Sequence, residues 1–465
     1  MAIRIELPDE TVEVTEAALT RYDVNAPRYT SYPTSPWWDD RFTAADAARV
    51  AEESNASGRP LSLYMHLPFC EHMCLFCGCN VIVRHDHAAA AAGYLPHLTR
   101  EIDLVTRPID ATRPVIQFHW GGGTPTYFSP DELTDLFTFT AERVRFAEDA
   151  ELGVELDPRV TTTDHLDALA ALGFNRLSLG VQDFDPAVQQ AVRRIEPYEQ
   201  VAALVEACRS RGFPSLNFDL MYGLPGQTPA SFAHTLDQVL TLRPERIALF
   251  SYGHVPWVKK QQQVLDGHIP LGEAKFALFA LGLERLVRAG YVYIGMDHFA
   301  LPDDELAREQ ANGQLHRNFQ GYTTKAGADL FGCGITAIGE QERSYVQNVR
   351  GLADYRAALD AGRLPVLRGV ELTDEDVLRR AVISDWLCYG RLDKADLGAR
   401  FGIDVDAHFA DELARLDPLR ADGLLQDAGD ALVATTLGRI FIRVIAAVFD
   451  QYLGRADGPR HSRTV

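Results

Sequence analysis

The chain carries no regular hydrophobic period at first and becomes patterned near residue 60. Short β-rich runs lie at Leu61–Leu67, Val115–Trp120, Glu151–Leu156, Arg176–Val181, Ser215–Tyr222 and Arg246–Tyr252. Most are separated by amphipathic segments of helical period such as Pro130–Val144 and Pro229–Leu242. Six strands alternating with helices predict a parallel α/β barrel or sheet. Residues 1–60 read as an extended leader that ends in a helix over Thr43–Ser57, after the turn-rich stretch RYTSYPTSPWWDD. Past Tyr291–Met296 the text turns irregular, and long connections of this kind are more often functional than idle. A helical region over Thr373–Leu416 is followed by two short strands joined by a Gly-Asp turn and by a closing helix, the pattern of a winged-helix-like module. The predicted division is thus an amino-terminal extension (1–60), a barrel with its loops (61–350) and a mainly helical carboxyl-terminal domain (351–465).

Composition agrees with a packed protein: 46% of the 465 residues are hydrophobic and 24% charged, so disorder is not expected. The first residues carry acids where a secretory leader has a basic region, and no run of about 18 apolar residues occurs, so a cytoplasmic protein is expected. A formal net charge of −20 disfavours nucleic acid or an anionic membrane as the main partner, since both require clustered Lys and Arg. An anionic substrate would need a local basic pocket. The acidity also argues against DNA binding by the winged-helix-like module, leaving it a lid or packing role.

Four of the seven cysteines fall within ten residues, at Cys70, Cys74, Cys77 and Cys79, where a disulfide framework would spread them. Cys208, Cys333 and Cys388 sit in apolar or helical surroundings and read as buried small hydrophobes. A structural zinc site is the rival occupant of the cluster, but zinc ordinarily takes a second pair of ligands at a distance and none is visible. Three thiolates can hold three irons of a 4Fe-4S cluster and leave the fourth open to a chelating molecule. Cys79, one residue past Cys77, is read as a non-ligand because so short a spacing strains ligation of two corners; the sequence assigns it no other role.

In α/β folds chemistry gathers at the carboxyl ends of the strands. The cysteine segment follows the first strand, Gly121–Thr124 follows the second, Glu155 ends the third, Gln182 follows the fourth and Asp219 lies late in the fifth. All obey the rule.

Cys70-x3-Cys74-x2-Cys77, with Phe76 before the third cysteine, resembles the signature of the radical S-adenosylmethionine superfamily. The longer text LYMHLPFCEHMCLFCGCN resembles its oxygen-independent coproporphyrinogen oxidase branch, and so do Arg28–Thr34, Gly295–Phe299 and His316–Thr324. The likeness extends from about Tyr22 to Tyr452. It implies a partial parallel (β/α)6 barrel, one 4Fe-4S cluster on Cys70, Cys74 and Cys77, and two molecules of S-adenosylmethionine. The first would be held by Tyr64, Glu155 and the glycine segment with Gly122, the second by Phe76, Gln182, Arg194 and Asp219. Gly123, Thr124, Gly253 and Ile338 complete the cofactor-binding set, although the family commonly has Ala where this chain has Gly253. Tyr29, Arg317 and Gln320 are the expected substrate-engaging residues, and the amino-terminal extension would close over the site.

The chemistry implied is oxidative decarboxylation of two propionates of coproporphyrinogen III to vinyl groups, giving protoporphyrinogen IX through a 5′-deoxyadenosyl radical. A low-potential electron donor of flavodoxin or ferredoxin type would supply the electron. The rivals are a two-cofactor radical methyltransferase or cyclopropanating enzyme, and a haem-binding chaperone on the same scaffold. Cys79 and the His316–Thr324 segment argue against the chaperone. A monomer is the default expectation.

Overall fold

The computed structural model describes residues 2–454 and 463–464. Its centre is a run of six parallel strands: β1 (Leu61–Leu67), β2 (Pro114–Gly122), β3 (Arg145–Leu156), β4 (Arg176–Gln182), β5 (Ser215–Tyr222) and β6 (Arg246–Ser251). Each pairs in parallel with the next. The strands alternate in burial where one face meets helices and the other a lumen; in β4, Leu177, Leu179 and Val181 are buried and the residues between them partly open. Pairing register sets the lumen side chains abreast: Tyr64 lies opposite His119, Glu155 opposite Ser178, Ser178 opposite Asn217, and Gly180 opposite Asp219. Helices return the chain between strands, and Pro130–Ala141 and Pro229–Leu242 each begin with proline behind a Ser or Thr cap that satisfies a free N–H of the first turn.

The sheet is larger than the sequence pattern shows. Beyond β6 it continues through His298–Ala300 and Val292–Gly295, both antiparallel. On the other side of β1 it takes up Asp329–Cys333 in parallel and then an antiparallel meander of Ile338–Gln341, Ser344–Asn348 and Val366–Glu371. These strands have three to six residues. Too short to show a period, they depend on their neighbours for pairing. Val366–Glu371 therefore belongs with the barrel sheet, and a division placed at 351 separates the last hairpin of one sheet.

The leader is not extended throughout. Ala2–Glu6 and Thr11–Thr15 form a hairpin followed by the helix Glu16–Tyr22. Ile5, Val12 and Val14 are buried while the acids between them face outward. The hairpin is tied to the helix Gly272–Arg288 by Glu6 N–H to Glu284 Oε2 (3.1 Å) and by Arg288 Nε to the Glu6 carbonyl (2.8 Å). Further on, Trp38 stacks on Tyr345 at 5.1 Å, and Arg28 pairs with Asp297.

In the carboxyl-terminal part the long helix is Asp374–Tyr389, closed by Gly390 in the left-handed region. The short strand Arg391–Asp393 then interrupts the expected helical stretch and joins Ala431–Ala434 and Leu425–Ala428 in a three-stranded sheet. The last helix is in two pieces, Thr436–Ile440 and Ile442–Ala447.

Candidate active site

The cysteine loop leaves β1 and is held from several sides. Gly123 N–H donates to the Leu67 carbonyl (2.8 Å), Thr124 N–H to that of Phe69 (2.9 Å) and Leu75 N–H to that of Val192 (3.0 Å). From below, the stretch after β6 clamps it: Gln262 donates to the Phe76 carbonyl (3.0 Å), Gln261 to that of Cys77 (3.0 Å) and Lys259 to that of Cys79 (2.5 Å). Phe76 is buried in a small cluster with Val188, Val192, Leu224, Tyr252 and Leu265, and does not line the cavity described below.

Each of the three thiols has a distinct neighbour. Cys70 Sγ lies 3.4 Å from Thr124 Oγ1, and burial pushes its thiol up to about 12. Cys74 Sγ accepts from Arg159 Nη2 at 3.5 Å and Arg194 Nη1 at 3.7 Å. Cys77 is hydrogen-bonded with Cys79, which draws Cys77 down and Cys79 up. All seven cysteines are free. Cys208, Cys333 and Cys388 are buried in the core, as expected of them. Among the described residues no three or more His, Cys, Asp or Glu converge on a point that would hold a single metal ion. The donor set is instead three soft thiols on one loop, with two guanidinium groups placed to offset their charge, and it fits an iron–sulfur cluster with an open corner.

The glycines beside the loop are required by close packing. Gly122 has φ of +112°, and a Cβ there would lie 2.4 Å from the His66 ring. At Gly123 it would lie 2.5 Å from the backbone of Pro68. Gly253 has open space around its Cβ position, so the alanine common in the family would fit there.

Above the loop a cavity of about 520 Å³ is lined by Tyr64, His66, His119, Glu155, Gln320 and Ile338, among others. Its volume is within the range of small-molecule sites. A lumen cavity of about 180 Å³, which includes Ser178, Asn217, Asp219 and His298, shares His119, Glu155 and Gln320 with it. His66 orders the rim. Its Nε2 donates to the Asn80 carbonyl (3.0 Å), leaving Nδ1 to accept from the Tyr64 hydroxyl (3.1 Å). Tyr64 in turn lies parallel to the His119 ring at 6.1 Å.

The two carboxyl groups diverge. Burial opposes ionisation of Glu155, but His119 Nε2 at 3.7 Å and the Gly122 N–H at 2.9 Å hold it below the usual glutamate value. Burial and the Glu155 charge push Asp219 up to about 7, against hydrogen bonds from Asn217 (2.8 Å) and Ser178 (3.3 Å). Gln182 has φ of +65° at a break in register, and its buried Oε1 has no partner. An unpaired buried acceptor on β4 and, on the neighbouring strand, a carboxyl pushed up to about 7 suit a cationic, polar ligand.

Arg194 is more occupied than its sequence assignment implies. It donates to Asp157 (3.1 Å), Glu196 (3.1 Å) and the Gly180 carbonyl (2.5 Å), as well as to Cys74. Burial opposes the ionisation of Asp157, but Arg194 and Arg159 hold it at about 2.

Of the expected substrate residues, Gln320 lines both cavities and its buried Nε2 is unpartnered. Arg317 is buried with Nε and Nη1 unpartnered, its guanidinium 4.8 Å from the centre of the Tyr322 ring. His298, whose Nδ1 is also unpartnered, is kept neutral by burial and by Arg317 and Arg28. Tyr29 is not brought to these cavities; it is buried and its hydroxyl donates to Asp450 (3.1 Å).

His66, Asp157, Arg159 and Gln262 escape sequence reasoning. His66 alone had a signal, standing two residues after Tyr64 and so on the same strand face.

A parallel barrel with three loop thiols and a polar mouth at the strand ends defines a radical S-adenosylmethionine protein, and the profile of the Radical SAM superfamily matches residues 64–239. The HemN C-terminal domain profile matches residues 372–441. The chain is 43% identical over 448 residues to the oxygen-independent coproporphyrinogen III oxidase of Synechocystis sp., covering 95% of this chain and 96% of that one. It is 41% identical to the enzyme so named from Pseudomonas aeruginosa, over 98% of this chain and 100% of the other. The solved structure of coproporphyrinogen III oxidase (HemN) from Escherichia coli, a radical SAM enzyme, superposes with a TM-score of 0.90 at 41% identity, covering 97% of this chain and 100% of that one. The chain belongs to the oxygen-independent coproporphyrinogen III oxidase family.

Proposed function

We propose that the chain catalyses oxygen-independent oxidative decarboxylation of two propionate side chains of coproporphyrinogen III to vinyl groups, giving protoporphyrinogen IX. Full-length relatedness to enzymes of that name favours it over a methyltransferase, a cyclopropanase or a haem chaperone. The observation that carries it is the polar cavity beside the three-thiol loop, into whose lining Gln320 brings an unpartnered donor, with the unpartnered guanidinium of Arg317 on the same segment though not in the lining, in a chain of net charge −20. When bound, the cluster and S-adenosylmethionine supply a radical that removes a hydrogen atom from the propionate β-carbon, and the carbon radical then passes one electron to a one-electron acceptor and loses carbon dioxide to leave the vinyl group.

The protein's part is to hold and orient. Cys70, Cys74 and Cys77 would hold the cluster, with Arg159 and Arg194 donating to Cys74 and so moderating its charge. Tyr64, Gly122, Gly123, Thr124, Glu155 and Ile338 would form the first cofactor site, and Phe76, Gln182, Arg194, Asp219 and Gly253 would serve a second cofactor molecule. Arg317 and Gln320 would engage the substrate's carboxylates, since buried unpaired donors recover the cost of their desolvation on meeting an anion. Tyr29 would act from the leader through a change of partner from Asp450. The amino-terminal segment (1–60) would close the site, the barrel with its sheet through Glu371 carry the chemistry and the remainder pack against it.

The electron would come from a low-potential donor of flavodoxin or ferredoxin type. A monomer in the cytoplasm completes the proposal; no helix of the described residues is long and apolar enough to cross a membrane. The test is anaerobic incubation of iron-reconstituted protein with coproporphyrinogen III, S-adenosylmethionine and dithionite. Protoporphyrinogen IX with two carbon dioxide released per tetrapyrrole is expected, and methylated products or unaltered substrate would overturn it.

A further inference from the structure

The outer face of the cysteine loop is unlike the rest of the surface. Among the described residues eight large hydrophobic side chains are exposed, and four of them, Trp257, Val258, Val264 and Leu271, stand on the one stretch after β6. Trp257 is 60% exposed and Val258 61%, although Val258 and Lys259 also border the mouth of the cavity above the cysteine loop. Met73 on the cysteine loop itself and Ile195, three residues past the Val192 carbonyl that holds the loop, are two more. Apolar side chains gathered in this way mark a contact surface.

Charge supplies the second observation. The chain as a whole carries −20, yet the charged groups around this patch include Lys259, Lys260 and Arg193, the last two exposed. Of the acids near these residues in the chain, Glu71 faces His87 (3.2 Å) and Asp266 is hydrogen-bonded to His254 (2.6 Å), while Glu199 and Glu273 are exposed beyond Ile195 and Leu271. The third observation is position. Lys259, Gln261 and Gln262 bond the carbonyls of Cys79, Cys77 and Phe76, so the exposed stretch is one hydrogen bond from the loop that carries the thiols. Electron tunnelling weakens exponentially with distance, and a protein seated here has a short path to the cluster.

We propose that this face is the docking surface of an acidic one-electron carrier protein of flavodoxin type. An acidic rim around its flavin would meet Lys260 and Arg193, and its apolar centre would cover Trp257 and Val258. The transfer is a single electron: the flavin hydroquinone becomes the semiquinone, the cluster goes from the 2+ to the 1+ state, and no bond is made or broken. The proposal rests on the radical-enzyme function argued above and adds where the electron enters.

The experiment uses reconstituted holoenzyme and compares cluster reduction by flavodoxin hydroquinone with reduction by dithionite in an anaerobic stopped-flow instrument. Lys260→Glu is expected to lower the second-order rate with flavodoxin roughly tenfold at low salt, the gap closing as ionic strength rises. Trp257→Ser is expected to lower it at every salt concentration. Neither variant should alter reduction by dithionite or dithionite-driven product formation. An unchanged flavodoxin rate in Lys260→Glu would overturn the proposal, as would an equal loss with dithionite, which would assign the patch to substrate or cofactor. A wild-type dimer by light scattering that Trp257→Ser converts to monomer would assign the face to a second copy of the chain. Failure of the wild type to form product with dithionite would sink the functional reading separately, since cluster reduction is read without substrate.

Discussion

The carboxylate of Glu155 accepts the backbone N–H of Gly122 at 2.9 Å, so the end of β3 is fastened to the glycine segment that closes β2. A side chain on Gly122 would strike His66, and the backbone there is in the left-handed region. Gly122→Ala should cost about 1–3 kcal/mol, from strain and from the displaced ring. Thermal unfolding of the apoprotein checks the cost, and iron content after reconstitution should fall with it. An alanine variant of wild-type stability and iron content would show that the segment relaxes freely.

The cysteine loop makes a sharper prediction. Cys70→Ser, Cys74→Ser and Cys77→Ser should each lose the brown 4Fe-4S chromophore, whereas Cys79→Ser should keep it, because three thiolates suffice. Iron analysis of the four purified variants decides, and loss of iron from Cys79→Ser would make Cys79 a ligand.

Asp219 links the site to pH. Its folded-state value of about 7 lies above the ordinary 3.8, so between those values the folded protein binds more protons than the unfolded chain. The resulting penalty grows as pH rises from about 4 and is fully present above about 7. Asp219→Asn should therefore raise apoprotein Tm relative to wild type at pH 8 and much less at pH 4.5. A difference independent of pH would remove Asp219 as the source.

Arg317 should matter to substrate and not to the cluster. Arg317→Ala is expected to lower kcat/KM for coproporphyrinogen by roughly ten- to a hundredfold, the equivalent of a charged hydrogen bond of about 1.5–3 kcal/mol. Iron content should be unchanged. Unaltered kinetics would take Arg317 out of the substrate pocket.

Arg194 and Asp219 should separate, although both were assigned to a second cofactor molecule. Removing Arg194 strands Glu196 and leaves Asp157 with Arg159 alone, so Arg194→Ala should destabilise the protein by about 3–5 kcal/mol. Asp219→Asn should instead leave it folded, keep cofactor cleavage and form little divinyl product. Equilibrium dialysis with labelled S-adenosylmethionine should return two molecules per wild-type chain and one for Asp219→Asn. A wild-type stoichiometry of one would end the two-cofactor proposal.

Much of this was legible in the chain. The strands β1 to β6 show themselves as short β-rich runs, and Leu61–Leu67 and Ser215–Tyr222 have the predicted bounds, whereas β3 begins six residues before the predicted Glu151 in a polar stretch that shows no run. The thiols, glycines and Glu155 follow from the rule that chemistry sits at strand ends, a rule of local order along the sequence. What the sequence could not show depends on contacts between distant segments. The hairpin Ala2–Thr15 needs the helix Gly272–Arg288 to bury its apolar face, and the meander Ile338–Glu371 needs Asp329–Cys333 at its side. The same holds for side chains: only the fold joins Arg194 to Asp157 and Glu196, seats Tyr29 on Asp450 and hangs the cysteine loop from Gln262. Residue type and spacing determined which groups this protein carries, while tertiary packing decided which are already paired and which remain free to meet a ligand, because pairing is settled by distance in space.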